Sequence, residues 1–191
     1  SMVFGVPVDE VTHELRNRIK ATSYGLAYGL SSFGLSQQLG VDVGEANELR
    51  DRYFDRFGKV REYLDEVVAQ ARKDGYTATM FNRRRYLPDL NSDNRQRRDM
   101  AERAALNAPI QGSAADIIKV AMIKVCEAIR AKDLKSRLLL QIHDELIVEI
   151  APGEKDVVQE VVTDAMTHAV LMDVPLEVAV GVGHSWKAAA H

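Results

Sequence analysis

RLLLQIHDELIVEI, residues 137–150, sets two apolar runs rich in branched side chains on either side of a polar cluster, Gln141, His143, Asp144 and Glu145. Runs of this length read as two buried strands of a hairpin, with the polar cluster at or near the turn. An aspartate in a turn is ordinary backbone chemistry. A carboxylate lifted to the lip of a buried sheet is also well placed to hold Mg²⁺, which takes hard oxygen ligands and keeps waters and substrate phosphates in its shell. Neighbouring strand residues face opposite ways, so Asp144 is the first candidate ligand and Glu145 a supporting one.

Working outward, helices are expected over 10–30, 44–57 and 59–74, the last with Val60, Leu64, Val67, Val68 and Ala71 as its apolar stripe. GYTATMFNRRRYLPDL reads as a hairpin with Asn82 and Arg83 near its turn. A long helix is expected over 95–131, bent near Pro109, then the 137–150 hairpin, a helix over 154–171 and a strand over 176–182. The fold class is α+β, a helical part followed by a small antiparallel sheet backed by helices.

The helix over 10–30 carries RNRIKATSYGLAYG, in which Arg16, Lys20, Tyr24 and Tyr28 recur every fourth residue and Gly29 follows. Four residues rise ~6 Å and turn ~40° past a full circle, so neighbours in this stripe can touch one ligand. Cations toward the positive end of the helix dipole suit a triphosphate, and aromatics two turns on suit a base. The plainer alternative is a solvated cationic face with the tyrosines packed into a core.

Together these segments resemble family A DNA polymerases of the bacterial polymerase I type. The 16–29 stripe is similar to that family's nucleotide-binding helix in the fingers. Gln141-Ile142-His143-Asp144-Glu145 is similar to its second catalytic carboxylate motif in the palm. A third block, RAALNAPIQG over 103–112, resembles the palm helix that touches the minor groove at the primer terminus. The resemblance runs from about Phe4 to the C-terminus.

It implies fingers over 1–100 and a partial palm over 101–191. Arg16 and Lys20 would hold the incoming dNTP, with Lys20 also counted among the catalytic groups beside Asp144 and Glu145. Tyr24 would stack near sugar and base, and Tyr28 and Gly29 would sit where the templating base enters. Many members have phenylalanine at position 24, so tyrosine here implies relaxed discrimination against dideoxynucleotides. Primer-template DNA would be contacted by Arg97, Arg98, Arg103, Asn107, Gln111, Gln141 and His143. Asn107 and Gln111 are four apart and share a face, suited to minor-groove acceptors that are present on every Watson-Crick pair. Asp144 and Glu145 would be metal ligands for the two Mg²⁺ ions of a complete enzyme acting in DNA replication and repair. The family's other aspartate lies upstream of this sequence, with the thumb and further palm, so the chain would be inactive without that missing N-terminal part. Its palm sheet would expose an edge and apolar surface.

Composition is compatible with this. Of 191 residues, 46% are hydrophobic and 28% charged, enough for one core or two small ones. The net charge of −3 is unevenly spread: residues 81–104 hold seven arginines against four acids, while the chain beyond Asp144 is acidic. Arg83, Arg84 and Arg85 read equally well as a solvated face. Cys126, the single cysteine, excludes an intrachain disulfide and is expected to be a buried filler. No run reaches transmembrane length and no signal peptide is recognisable, so the expected location is cytoplasmic, with the nucleoid through DNA. Ser1-Met2 reads as a remnant of cloning. Two other classes compete: a non-catalytic nucleotide- or nucleic-acid-binding module, and a hydrolase built on His143, Asp144 and Glu145, which lacks a partnered nucleophile.

Overall fold

The computed structural model describes residues 1–189 and divides into two compact units, Ser1–Gly112 and Ser113–His191. In the first, α1 (His13–Ala27), α2 (Ser32–Leu39), α3 (Val43–Arg56) and α4 (Gly58–Asp74) precede a two-stranded antiparallel sheet, β1 (Tyr76–Ala78) and β2 (Arg84–Tyr86). The long helix α5 (Arg95–Ala131) begins in this unit and ends in the second. Beyond it come β3 (Arg137–Ile142), β4 (Glu145–Glu149), α6 (Lys155–Thr167) and α7 (Trp186–Ala189).

Local chemistry sets the helix ends. Thr12, Ser31 and Asp42 each accept a backbone N–H from the first turn of α1, α2 and α3, through Leu15, Gly34 and Glu45. Gly40 and Gly75 close α2 and α4 in the left-handed conformation. Helix α2 was not expected. Its signals, Ser31 as N-cap and Gly40 just past the end, lie in a segment too short and too weakly periodic to stand out.

Two clusters form the core of the first unit. Leu26 of α1, Leu35 of α2 and Ala46, Leu49 and Tyr53 of α3 are buried together with Val3. A smaller cluster joins Ala71 of α4, Leu87, Leu90, and Ala101 and Ala105 of α5. On α4 only Leu64 and Ala71 of the expected stripe are buried, and Val60, Val67 and Val68 are half-buried. The β1–β2 hairpin has Asn82 at φ 61°, the left-handed residue a tight connection needs.

Pro109 lies inside α5 without ending it. The division into compact units falls within this helix, after Gly112. In the second unit, Val125 and Ile129 of α5 pack with Val158, Val161, Val162 and Ala165 of α6, and Leu146 and Val148 of β4 lie against them.

Three expectations fail here. Residues 176–182 form no strand: Leu176, Val178 and Val180 keep a half-buried alternation, but a ladder needs a hydrogen-bonded neighbour, and among the described residues β3 pairs only with β4. The apolar run of β3 is not a buried strand, since Leu139 is 52% and Leu140 44% exposed. A sheet of two strands has one face on α5 and α6, and the ladder shifts register between Leu138 and Leu140. Cys126 is half-buried on α5 rather than fully enclosed.

Candidate active site

The first candidate element is α1. Arg16 and Lys20 are exposed on it, and neither joins an ion pair among the described residues. Tyr24 is 54% exposed and Tyr28 half-buried, with their rings stacked at 6.4 Å. The alternative in which both tyrosines fill a core is therefore excluded for Tyr24, whose ring extends the cationic stripe on the surface.

Gly29 ends α1 for a definite reason. Its φ is +72°, its N–H donates to Leu26 O at 3.0 Å, and the N–H of Leu30 donates to Gly25 O at 2.9 Å. This pair of bonds is a Schellman closure, in which the left-handed position favours glycine. A Cβ there would also meet Leu106 Cδ1 at 2.9 Å and Arg103 Cγ at 3.2 Å. Gly29 thus lies close against α5 of its own unit.

On the first half of α5, Arg97 is exposed and its N–H is capped by Asn94 Oδ1 at 3.2 Å. Arg98 is engaged internally: its Nη1 donates to Ser92 O at 2.7 Å and Asp93 O at 3.0 Å. Arg103 is exposed, with Nε donating to Asp99 O at 3.2 Å. Gln111 is exposed, whereas Asn107 is half-buried and its Oδ1 is enclosed with no hydrogen-bond partner among the described residues. A buried amide oxygen without a donor costs about 1–3 kcal/mol.

In the second unit, β3 and β4 are joined by the two residues His143 and Asp144, with Ile142 opposite Glu145. Asp144 therefore sits in the turn, where strand alternation does not apply, and Glu145 opens β4. Both carboxylates are exposed, as are Gln141 and His143. His143 has φ 52°, a left-handed conformation that few residues other than glycine adopt and in which histidine, like asparagine and aspartate, is enriched, and Gln141 Nε2 donates to its carbonyl oxygen. Sequence reading did not anticipate that strain. A two-residue hairpin connection with no glycine in it was the available signal.

Among the described residues, no three His, Cys, Asp or Glu side chains are gathered to hold a metal ion. The turn offers exposed carboxylate oxygens of the hard type that Mg²⁺ takes, enough for part of a coordination shell. The remaining ligands must come from substrate, water or other protein.

Helices with small antiparallel sheets define an α+β protein, with an exposed cation–aromatic stripe on one helix and a carboxylate turn on a separate hairpin. Comparison with known proteins makes this specific. The sequence profile of DNA polymerase family A matches residues 1–188. The chain belongs to that family. It is 66% identical over 191 residues to DNA polymerase I of Mycobacterium tuberculosis (strain ATCC 25618 / H37Rv), covering 100% of this chain and 21% of that protein. With DNA polymerase I of Mycobacterium leprae (strain TN) the identity is 60% over the same 191 residues, again 21% of the relative. Among solved structures, the POL domain of Pol1 from M. smegmatis in complex with DNA primer-template and dNTP superposes with a TM-score of 0.96 at 63% identity, covering 100% of this chain and 34% of that one.

The chain thus spans about a fifth of the length of these curated relatives. The match to the M. tuberculosis protein covers the full 191 residues, Ser1 and Met2 included.

Proposed function

We propose that this chain supplies the fingers and part of the palm of a DNA-directed DNA polymerase, which transfers a nucleotidyl group from dNTP to a primer 3′-hydroxyl during replication and repair. The exposed Arg16–Lys20–Tyr24 stripe of α1 carries this reading. Its support is chemical as well as familial: two unpaired cations a turn apart meet the charge of a triphosphate, and an exposed ring beyond them offers a stacking face.

In this reading Arg16 and Lys20 hold the triphosphate, and Lys20 also offsets charge on the departing pyrophosphate. Tyr24 packs on the sugar and base. Tyr28 and Gly29 border the position of the templating base. Asn107 and Gln111 read pair shape in the minor groove by donating their amide N–H groups to the acceptors present on every pair. Arg97 and Arg103 contact backbone phosphate; Arg98 contributes mainly by fixing the turn before α5. Gln141, near the end of β3, and His143, in the turn beside Asp144, contact the DNA.

Asp144, supported by Glu145, would hold divalent cation, Mg²⁺ by its ligand chemistry, with two ions in the complete enzyme. Bound there, the metal stabilises charge on the reacting oxygens. Because no three His, Cys, Asp or Glu side chains are gathered to hold a metal ion among the described residues, the isolated chain is proposed to be inactive and to need the rest of its polymerase. A DNA substrate places the protein with the nucleoid in the cytoplasm.

Mg²⁺-dependent primer extension by this chain and by a version extended to the length of its relatives, each with and without Asp144→Ala, tests the reading. Extension by the longer version alone, reduced about a thousandfold by the substitution, is expected. Extension insensitive to Asp144→Ala, or none by either chain, would favour a non-catalytic nucleotide-binding module instead.

A further inference from the structure

The run Arg16, Arg18, Lys20 holds a third cation that the nucleotide reading leaves unused. Residues two apart on a helix point ~200° away from each other, so Arg18 faces away from the stripe formed by Arg16 and Lys20. Its partner is on another helix: Arg18 Nη2 pairs with Glu45 Oε1 of α3, at side-chain exposures of 28% and 43%.

The pair sits where α1 is otherwise weakly held. The buried residues of α1 are Thr22, Gly25 and Leu26, all in its second half. In the first half, which carries the cations, it is half-buried Ile19 that packs against the core. Glu45 gives Arg18 a firm base. Its own N–H is capped by Asp42 Oδ1 at 2.9 Å, and the next residue, Ala46, is completely buried. Arg18 in turn is tied to the buried half of its helix, because the Thr22 hydroxyl donates to Arg18 O at 2.8 Å. Among the described residues the Arg18 Nε is enclosed without an acceptor, so Glu45 is the compensation this guanidinium has. Removing it leaves a partly buried charge unpaired, which the helix can relieve only by moving.

We propose that Glu45 is a positioning residue for nucleotide binding: through Arg18 it fixes the phosphate-facing half of α1 and so sets where Arg16 and Lys20 present their charges. The proposal rests on α1 being the nucleotide-binding helix. A pair of this exposure has a modest effect, read as about three- to tenfold in nucleotide affinity.

The test uses the polymerase at the full length of its relatives. Glu45→Gln should raise the KM for dNTP about three- to tenfold while leaving kcat and the primer-template Kd unchanged. The exchange Arg18→Glu with Glu45→Arg should restore the wild-type KM, which a merely structural role for either side chain would not predict. Lys20→Ala runs alongside. If it raises KM and Glu45→Gln does not, the positioning role is wrong. If Glu45→Gln weakens DNA binding and lowers the melting temperature as well, and the exchange rescues nothing, Glu45 serves general folding and the proposal again falls. If Lys20→Ala leaves KM unchanged, α1 is not the nucleotide helix, and the underlying reading is what has failed.

Discussion

The carboxylate of Glu154 clasps Ser136: it accepts the N–H of Ser136 at 2.9 Å and its hydroxyl at 2.6 Å, along with the N–H of Lys135 at 2.9 Å. Ser136 is buried, and its oxygen accepts the N–H of Ala151 at 2.9 Å. One hydroxyl therefore joins the chain entering β3 to the chain leaving β4, just outside the base of the hairpin that carries Asp144. Ser136→Ala should destabilise the second unit by about 1–3 kcal/mol, because Ala151 loses its acceptor and the Glu154 carboxylate a donor. Denaturant unfolding of the two proteins checks it, and equal midpoints would mean the clasp is idle.

The same clasp is sensitive to acid. The Lys135 N–H first, then the Ser136 hydroxyl, hold the Glu154 pKa below the usual glutamate range. Between the folded and unfolded values the unfolded chain carries more protons, so stability rises with pH there. The contribution is complete at neutral pH and is lost as pH falls below about 4. Glu154→Gln should remove this part of the acid transition, leaving a melting temperature less dependent on pH between 3 and 5 by about a degree or more. Superimposable pH profiles would refute it.

Gly29→Ala should destabilise the first unit by about 2 kcal/mol or more, from the left-handed backbone and from the overlap of the new Cβ with Leu106 and Arg103. Gly40→Ala, where φ is +68° but no atom lies within 4 Å, isolates the backbone part and should cost less. If the two variants melt together, packing at Gly29 contributes nothing.

How far the sequence revealed this arrangement depends on the range of the forces involved. The 95–131 helix and both hairpins were legible because their signals are local: periodicity, turn residues and the apolar runs beside Asp144. Helix α2 was missed because it is eight residues long and held by burial of Leu35 against α3, a tertiary effect. The failed strand at 176–182 has the right alternation without a neighbour, and alternation cannot report whether one exists. The stripe residues were found as types at a spacing, whereas the Arg18–Glu45 and Ser136–Glu154 links join positions 27 and 18 residues apart, which spacing does not encode.

Tyr24→Phe should leave folding unchanged, since the Tyr24 ring is 54% exposed and its hydroxyl makes no hydrogen bond among the described residues. In the full-length polymerase it should sharpen discrimination against dideoxynucleotides by about tenfold or more, a loss of about 1.4 kcal/mol in their favour. Competitive incorporation of dideoxy- and deoxynucleotides measures it, and equal ratios for the two enzymes would remove Tyr24 from sugar selection.

His143 holds a backbone conformation that glycine would adopt freely, beside the carboxylate proposed to bind metal. Strain of this kind costs of order 1–3 kcal/mol and persists only where something else selects it. His143→Gly relieves it, at some cost in unfolded-chain entropy, so hairpin stability should be unchanged or rise by about 1 kcal/mol. Activity should move the other way. Without the imidazole, and with a turn free to sample other geometries, Asp144 is less well fixed, and primer extension should fall about tenfold or more. Thermal unfolding and extension rates measured on the same variant separate the two effects. A variant that is both more stable and fully active would show that the histidine conformation is a packing accident of the turn, and that Asp144 needs no help from its neighbour.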